Sequence, residues 1–276
     1  MKNAHIKLVI QCSDIHIRNF MRLEEYDEQL NRFIEECRKI AEPYEMEEVR
    51  IVICGDLVQS KLVISNELMS FTSSFLRRLS EVATVLVISG NHDMLMSNTA
   101  RKDTMTALFE TAQFENCMFL DGMLGYESGC IEDDNIVWAL YSIFDNYGKP
   151  SLENYAGTDK TIVGLYHGTI VGATLNNGRV VENGLDSDAF AGCDMVMCGD
   201  IHKRQVLKRG DVECVYSGSL IQQNFGETVT QHGFCVWDME KKTHEFVDLP
   251  TTHGLYNIEI SHIEDLDDDT ETLLNL

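Results

Sequence analysis

Proline is scarce: three residues in 276, at positions 43, 150 and 250, so no proline-rich linker divides the chain before about residue 245. Long apolar runs are missing too. Ala83–Ile88 falls far short of the roughly 18 residues that span a bilayer, and the opening M-K-N-A-H-I-K-L has no signal-peptide pattern. A membrane or secreted protein is therefore not expected, and the chain is placed inside a cell. Basic residues are few, 22 Lys and Arg against 45 Asp and Glu, for a formal charge of −23. That balance argues against broad adhesion to nucleic acid or acidic lipid, and a polyanionic substrate would need local help of the kind divalent cations give. No C-x-x-C occurs among the nine cysteines, their number is odd, and Cys12, Cys54, Cys198, Cys214 and Cys235 fall in strand-like runs. Buried reduced thiols are expected rather than a disulfide framework. Internal repeats are absent, as is any G-x-x-x-x-G-K-[ST] phosphate loop.

What is present is a regular alternation. The stretches 6–12, 49–54, 83–89, 161–166 and 194–198 have the composition of short buried strands. Between the first two, Leu23, Tyr26, Leu30, Phe33, Ile34, Cys37 and Ile40 recur at helical spacing, ended by Pro43. A second helix is predicted after Ser65 as N-cap, with Leu68, Phe71, Phe75, Leu76 and Leu79 on one side, and a third over about 103–112. The later half is strand-rich, with 134–141, 212–217 and 233–239. An apolar content of 44% over this length suits one large domain. The fold class expected is α/β, two packed β-sheets with helices outside. Residues 1–249 are taken as that domain, and 250–276 as an acidic tail or the start of a further module; T-T-H-G-L-Y-N-I-E-I-S, from Thr251, has a strand-like composition.

The chemistry is concentrated where the buried strands end. Their exits read S-D-I-H, G-D-L, G-N-H-D, H-G and G-D-I-H, delivering Asp14, His16, Asp56, Asn91, His92, His167, Asp200 and His202. Ligands of open α/β sheets gather beyond the carboxyl ends of the strands, so these side chains are expected to converge on one rim. Gly55, Gly90 and Gly199 are expected to permit the sharp exits. One D-x-H is weak evidence, since a histidine satisfied by a nearby carboxylate is commoner than a ligand; five agreeing strand ends are strong. His5, His232, His244, His253 and His262 follow no such pattern and are read as structural or exposed. Oxygen and imidazole donors without cysteine favour Mn²⁺, Fe²⁺, Mg²⁺ or Zn²⁺ over a thiolate site, and the donors are too many for one ion.

The ordered set D-x-H, G-D, G-N-H-D, H and G-x-x-H resembles that of the calcineurin-like metallophosphoesterases, whose fold is a four-layer sandwich of two sheets flanked by helices. The resemblance implies two divalent ions, with Mn²⁺ foremost. Asp14, His16, Asp56 and His202 match the ligands of one, and Asp56, Asn91, His167 and Asp200 those of the other, with Asp56 bridging. His92 matches the catalytic histidine that assists the leaving oxygen, and Asp93 the carboxylate beside it. Asp200 is a departure, because most relatives carry histidine there; a carboxylate favours harder ions such as Mn²⁺ or Mg²⁺ over Zn²⁺.

The stretch Y-S-G-S-L-I-Q-Q-N-F-G-E-T-V-T-Q-H-G-F, 216–234, resembles the corresponding segment of SbcD-type DNA repair exonucleases. That likeness implies a DNA nuclease attacking phosphorus in line with a hydroxide held between the metals. It also implies a homodimer and a coiled-coil ATPase partner of the SbcC type. Gln59 stands where some of these relatives carry a histidine. Leu68, Phe71, Phe75 and Leu79 are candidates for a dimer face, although a buried stripe is the ordinary use of such a pattern. Two other readings compete: a phosphatase or cyclic-nucleotide phosphodiesterase using the same metals, and a metal-poor scaffold that docks a repair ATPase or binds DNA ends. The last would leave buried carboxylates and imidazoles unpaired at a cost in stability.

Overall fold

Strand β2, Val49–Cys54, is buried at all its positions, the mark of a strand covered on both faces. A computed structural model describes residues 5–95, 102–145, 148–210 and 212–256 and shows how that cover is built. The chain forms two six-stranded mixed sheets. In the first, β1 (Leu8–Cys12), β2, β3 (Thr84–Ile88) and β4 (Cys117–Phe119) run parallel, and β11 (Gly233–Asp238) and β12 (Thr243–Asp248) extend it antiparallel beyond β1. In the second, β6 (Ile136–Tyr141), β7 (Thr161–His167), β8 (Met195–Gly199) and β10 (Val212–Tyr216) are parallel, with β5 (Gly129–Asp133) and β9 (Gln205–Arg209) as antiparallel edges.

The period of two along each strand divides the core. In the first sheet Ile10, Ile51, Ile53, Val85 and Val87 face the helices, while Val9, Val52, Leu86 and Ile88 face the second sheet. In the second sheet Trp138, Leu140, Val163, Leu165, Met195 and Met197 face the first, and Val137, Ala139, Val196 and Cys198 face outward. Gln11 sits in the inter-sheet layer: its Nε2 donates to the carbonyls of Val215 (2.9 Å) and Cys198 (3.2 Å), and its Oε1 accepts from Trp237 Nε1. A buried polar group whose hydrogen bonds are all made costs little and holds the two sheets in register.

The predicted helices form. Helix α1 spans Leu23–Ala41 and buries Tyr26, Leu30, Phe33, Ile34 and Cys37. Helix α2, Asn66–Ser80, starts at Ser65, whose side chain accepts from Leu68 N, a cap worth about 1 kcal/mol. Helix α3 covers Thr104–Ala112, capped by Asp103, and a short α4, Leu120–Met123, follows β4. On the far face of the second sheet the covering layer is loop and 3₁₀ turn, with Phe190, Ile170 and Leu152 packed on it, so the expected outer helices there are single turns. Leu68, Phe75 and Leu79 belong to the core and are not available as a dimer face. Phe71 is half-buried against that core. All nine cysteines are free, eight of them buried. Residues 251–256 contain no strand, and the rest of the segment read as tail or further module, with His262, lies outside the described residues.

Candidate metal centre

The exits of β1, β2, β3, β7 and β8 bring Asp14, His16, Asp56, Asn91, His92, His167, Asp200 and His202 to one rim between the sheets. The local geometry departs from the glycine-centred expectation. Gly55 has φ +83°, but Asp14, His16, Asp56 and Asp200 themselves have φ of 53°, 51°, 54° and 90°. The functional residues carry the left-handed backbone that turns their side chains inward, a strained state kept where surrounding structure enforces it. Backbone bonds do the enforcing: Asp14 N donates to Gly55 O, His16 N to Asp56 O, and Asp200 N to the Asp14 carboxylate at 3.1 and 3.2 Å. Gly90 and Gly199 serve close approach instead, since a Cβ would meet the Asp56 carboxylate at the first and the Cys54 carbonyl at the second.

Three groups of donors lie close enough together to hold a cation: Asp14, His16 and His202; His16, Asp56 and His92; and Asp14, Asp56 and His167. The hydrogen bonds decide which atoms are free. His167 Nδ1 donates to Cys54 O at 2.8 Å, which leaves Nε2 turned toward Asp56 Oδ1 at 3.5 Å and Asp200 Oδ1 at 3.9 Å, without a hydrogen-bond partner. His202 Nδ1 donates to Glu227 Oε1 at 2.7 Å, so its Nε2 faces His16 Nε2 at 3.1 Å and Asp14 Oδ1 at 3.7 Å. His16 Nε2 also lies 3.4 Å from Asp56 Oδ2. Asn91 Oδ1 is buried and unpartnered. Imidazole nitrogens and carboxylate oxygens facing each other are mutually repulsive unless a proton or a cation lies between them. This donor set fits divalent ions.

The titration behaviour follows from the same crowding. Burial lifts the Asp14 carboxyl above its ordinary range, against the pull of His202 and His167. Burial acts the same way on Asp56, but His167 and His16 outweigh it and hold Asp56 below its ordinary value. His16 is driven by burial down to about 3 and stays neutral. Burial opposes charge on His167 as well, yet Asp56, Asp14 and Asp200 together push it up to about 10. Carboxylates held ionised in so dry a place only by charged imidazole are the electrostatic counterpart of a cation site.

Around the donors lies a cavity of about 220 Å³ lined by Arg18, Gln59, His92, Asp200, His202 and Gln223 among others. His92 rests edge-on to His16, ring centroids 4.9 Å apart. Its Nδ1 accepts from Gln59 Nε2 at 2.9 Å, so the ring proton sits on Nε2. Asp93 is fully buried, its oxygens accepting from Val58 N and Gly90 N, both at 2.9 Å; burial, with the Asp56 charge, pushes it up to about 7. Through these two bonds Asp93 joins the β2 and β3 exits.

Glu227 is the residue that sequence reasoning missed. Besides His202 it accepts from Asn224 Nδ2 (2.7 Å) and Gln223 N (2.8 Å). The signal was the F-G-E of the 216–234 stretch, whose role is legible only once it lies behind His202. A carboxylate on the far nitrogen orients a ligating imidazole and raises its basicity. Glu227→Gln is expected to weaken Mn²⁺ binding about tenfold, measured by calorimetric titration; an unchanged isotherm would reduce Glu227 to a loop anchor. Of the other histidines, His232 is buried and bonded to Ser219 and Thr228, His244 stacks on Trp237, and His253 meets Glu28.

A rim of strand ends carrying carboxylates, imidazoles and an amide around a polar cavity is an arrangement able to hold divalent cations. The Calcineurin-like phosphoesterase superfamily domain matches residues 6–242, and the chain belongs to that superfamily. An uncharacterized protein of Acanthamoeba polyphaga mimivirus is 32% identical over 266 residues, 93% of this chain and 19% of its own length. The chain thus spans about a fifth of that relative. An archaeal phosphodiesterase of solved structure is 14% identical, with a TM-score of 0.47, covering 88% of this chain and 99% of its own.

Proposed function

We propose that the chain is a metal-dependent DNA nuclease of the SbcD type. The observation that carries this reading is the 216–234 segment. The stretch resembling those nucleases packs against the cluster, with Gln223 lining the cavity and Glu227 clasping His202. One ion would be held by Asp14, His16, Asp56 and His202 and the other by Asp56, Asn91, His167 and Asp200. When bound, such ions supply Lewis-acid activation of water and of the phosphoryl oxygens.

The chain's own residues do the rest. His92, with its proton on Nε2, is placed to hydrogen-bond the oxygen that leaves as the P–O bond breaks and to stabilise its developing charge, the freed oxygen then taking its proton from water. Gln59 holds that tautomer, which gives the residue a role where some relatives have histidine. Asp56 accepts from His92 N at 2.8 Å, tying the position of His92 to the donor cluster. Beside the reaction cavity lies a larger one of about 640 Å³ that shares Asn91 and Asp200 and is lined by Tyr166, Lys149 and Leu185. It offers room for more of a substrate than a single phosphate. A homodimer and a coiled-coil ATPase partner belong to the same proposal. Among the described residues no helix is long and apolar enough to cross a membrane.

The second reading, a phosphatase or cyclic-nucleotide phosphodiesterase, draws on the −23 charge. Linear duplex DNA and a small aryl phosphate, each with Mn²⁺ and with chelator, separate the two. DNA degradation that chelator abolishes is the expected result; turnover of the aryl phosphate alone would transfer the site to the second reading.

A further inference from the structure

Arg18 presents an unusual combination. It lines the cavity over the donor cluster together with Asp56, Asp200 and His92, and among the described residues it is the one lining that cavity with a permanent positive charge. The chain holds 45 acidic residues, yet among the described residues no carboxylate pairs with Arg18; its recorded partners are the Gln223 carbonyl at 3.1 Å and the Gln223 side-chain oxygen at 3.3 Å, both taken by Nη2. Its Nε is buried and has no acceptor. The guanidinium is nevertheless well anchored. Gln223 Nε2 donates onward to Ile15 O at 3.0 Å and Asp14 O at 3.4 Å, and Gln223 N donates to Glu227 Oε2 at 2.8 Å. A half-buried cation, fixed in place through one nitrogen and left without an anion on the others, has donors to spare toward whatever enters the cavity.

We infer that Arg18 is a substrate-recognition residue that binds a non-reacting oxygen of the phosphoryl group during hydrolysis. The planar fork of guanidinium suits two oxygens of one tetrahedral anion, and charge-assisted bonds of this kind are about twice as strong as neutral ones. In a protein of net charge −23, with Asp56 and Asp200 on the cavity wall, an incoming phosphate meets repulsion from fixed carboxylates. Arg18 offsets it locally at the place where the phosphate must sit. The inference concerns the phosphoryl group that nuclease, phosphatase and cyclic-nucleotide diesterase readings share, so it stands or falls separately from the DNA assignment.

The test uses inorganic phosphate as probe, on Mn²⁺-loaded wild type, Arg18→Gln and Arg18→Lys. Calorimetric titration should show phosphate binding weakened roughly tenfold or more in Arg18→Gln and partly recovered in Arg18→Lys, while Mn²⁺ affinity stays within about twofold of wild type. Phosphate binding that is unchanged in Arg18→Gln overturns the assignment. So does a parallel loss of Mn²⁺ in both variants, which would make Arg18 a strut for the Gln223 loop. Should Arg18→Gln fail to fold, Arg18→Lys decides alone: weakened phosphate with retained metal supports the role, and wild-type phosphate affinity rejects it.

Discussion

His92→Ala is expected to lower kcat for phosphodiester hydrolysis by about 10²–10³-fold, the usual cost of removing one donor aimed at developing charge, with bound metal unchanged. The separation is built into the geometry. The link between His92 and the donor cluster runs through its backbone N–H to Asp56, which alanine retains, whereas the link to the leaving oxygen runs through the ring, which alanine removes. Gln59 loses its partner but stays at the cavity wall. Metal content by elemental analysis and turnover on a small phosphodiester, measured on the same preparation, check both halves. Retained Mn²⁺-dependent turnover would show that the leaving oxygen is stabilised from elsewhere. Loss of metal would show that the ring is a donor.

Asp56→Asn should be more severe, with metal affinity reduced at least about 100-fold and turnover reduced to background. Asp56 is shared by two of the three donor groups, and its oxygens lie 3.4 Å from His16 Nε2 and 3.5 Å from His167 Nε2. Asparagine tolerates the left-handed backbone that Asp56 adopts at φ 54°, so the loop should keep its course and the missing charge is isolated as the cause. Circular dichroism of the metal-free variant should match wild type. An active Asp56→Asn enzyme would remove the bridging carboxylate from the assignment.

Much of the site could be read from local pattern because each buried strand writes its own terminus. V-R-I-V-I-C followed by G-D states both that a strand is covered on two faces and that a carboxylate stands at its exit. The helices were legible for a similar reason: Tyr26, Leu30, Phe33 and Ile34 repeat with the helical turn, and Ser65 and Asp103 sit where caps belong. Edge strands were less visible. T-H-E-F-V-D in β12 turns Thr243 and Glu245 to water, Q-V-L-K-R in β9 turns Val206 and Lys208 there, and the strand character of both is supplied by antiparallel neighbours. The roles of Glu227 and Arg18 could not be read from local pattern, since their partners lie 25 and 205 positions away along the chain.

The order of motifs along the chain, by itself, determined the α/β class, the buried parallel strands and the identity of the side chains at their ends. Those follow from short-range regularities, apolar alternation and turn chemistry, that every segment carries independently. Only the tertiary structure decided which atoms of those side chains are free. It placed the His202 and His167 Nδ1 atoms against Glu227 and the Cys54 carbonyl. It turned the Asp93 oxygens to backbone amides and set Arg18 against Gln223, with no counter-ion among the described residues. A side chain's type is a property of one position, but its protonation, orientation and unsatisfied bonding are set by the groups that packing brings within about 3 Å.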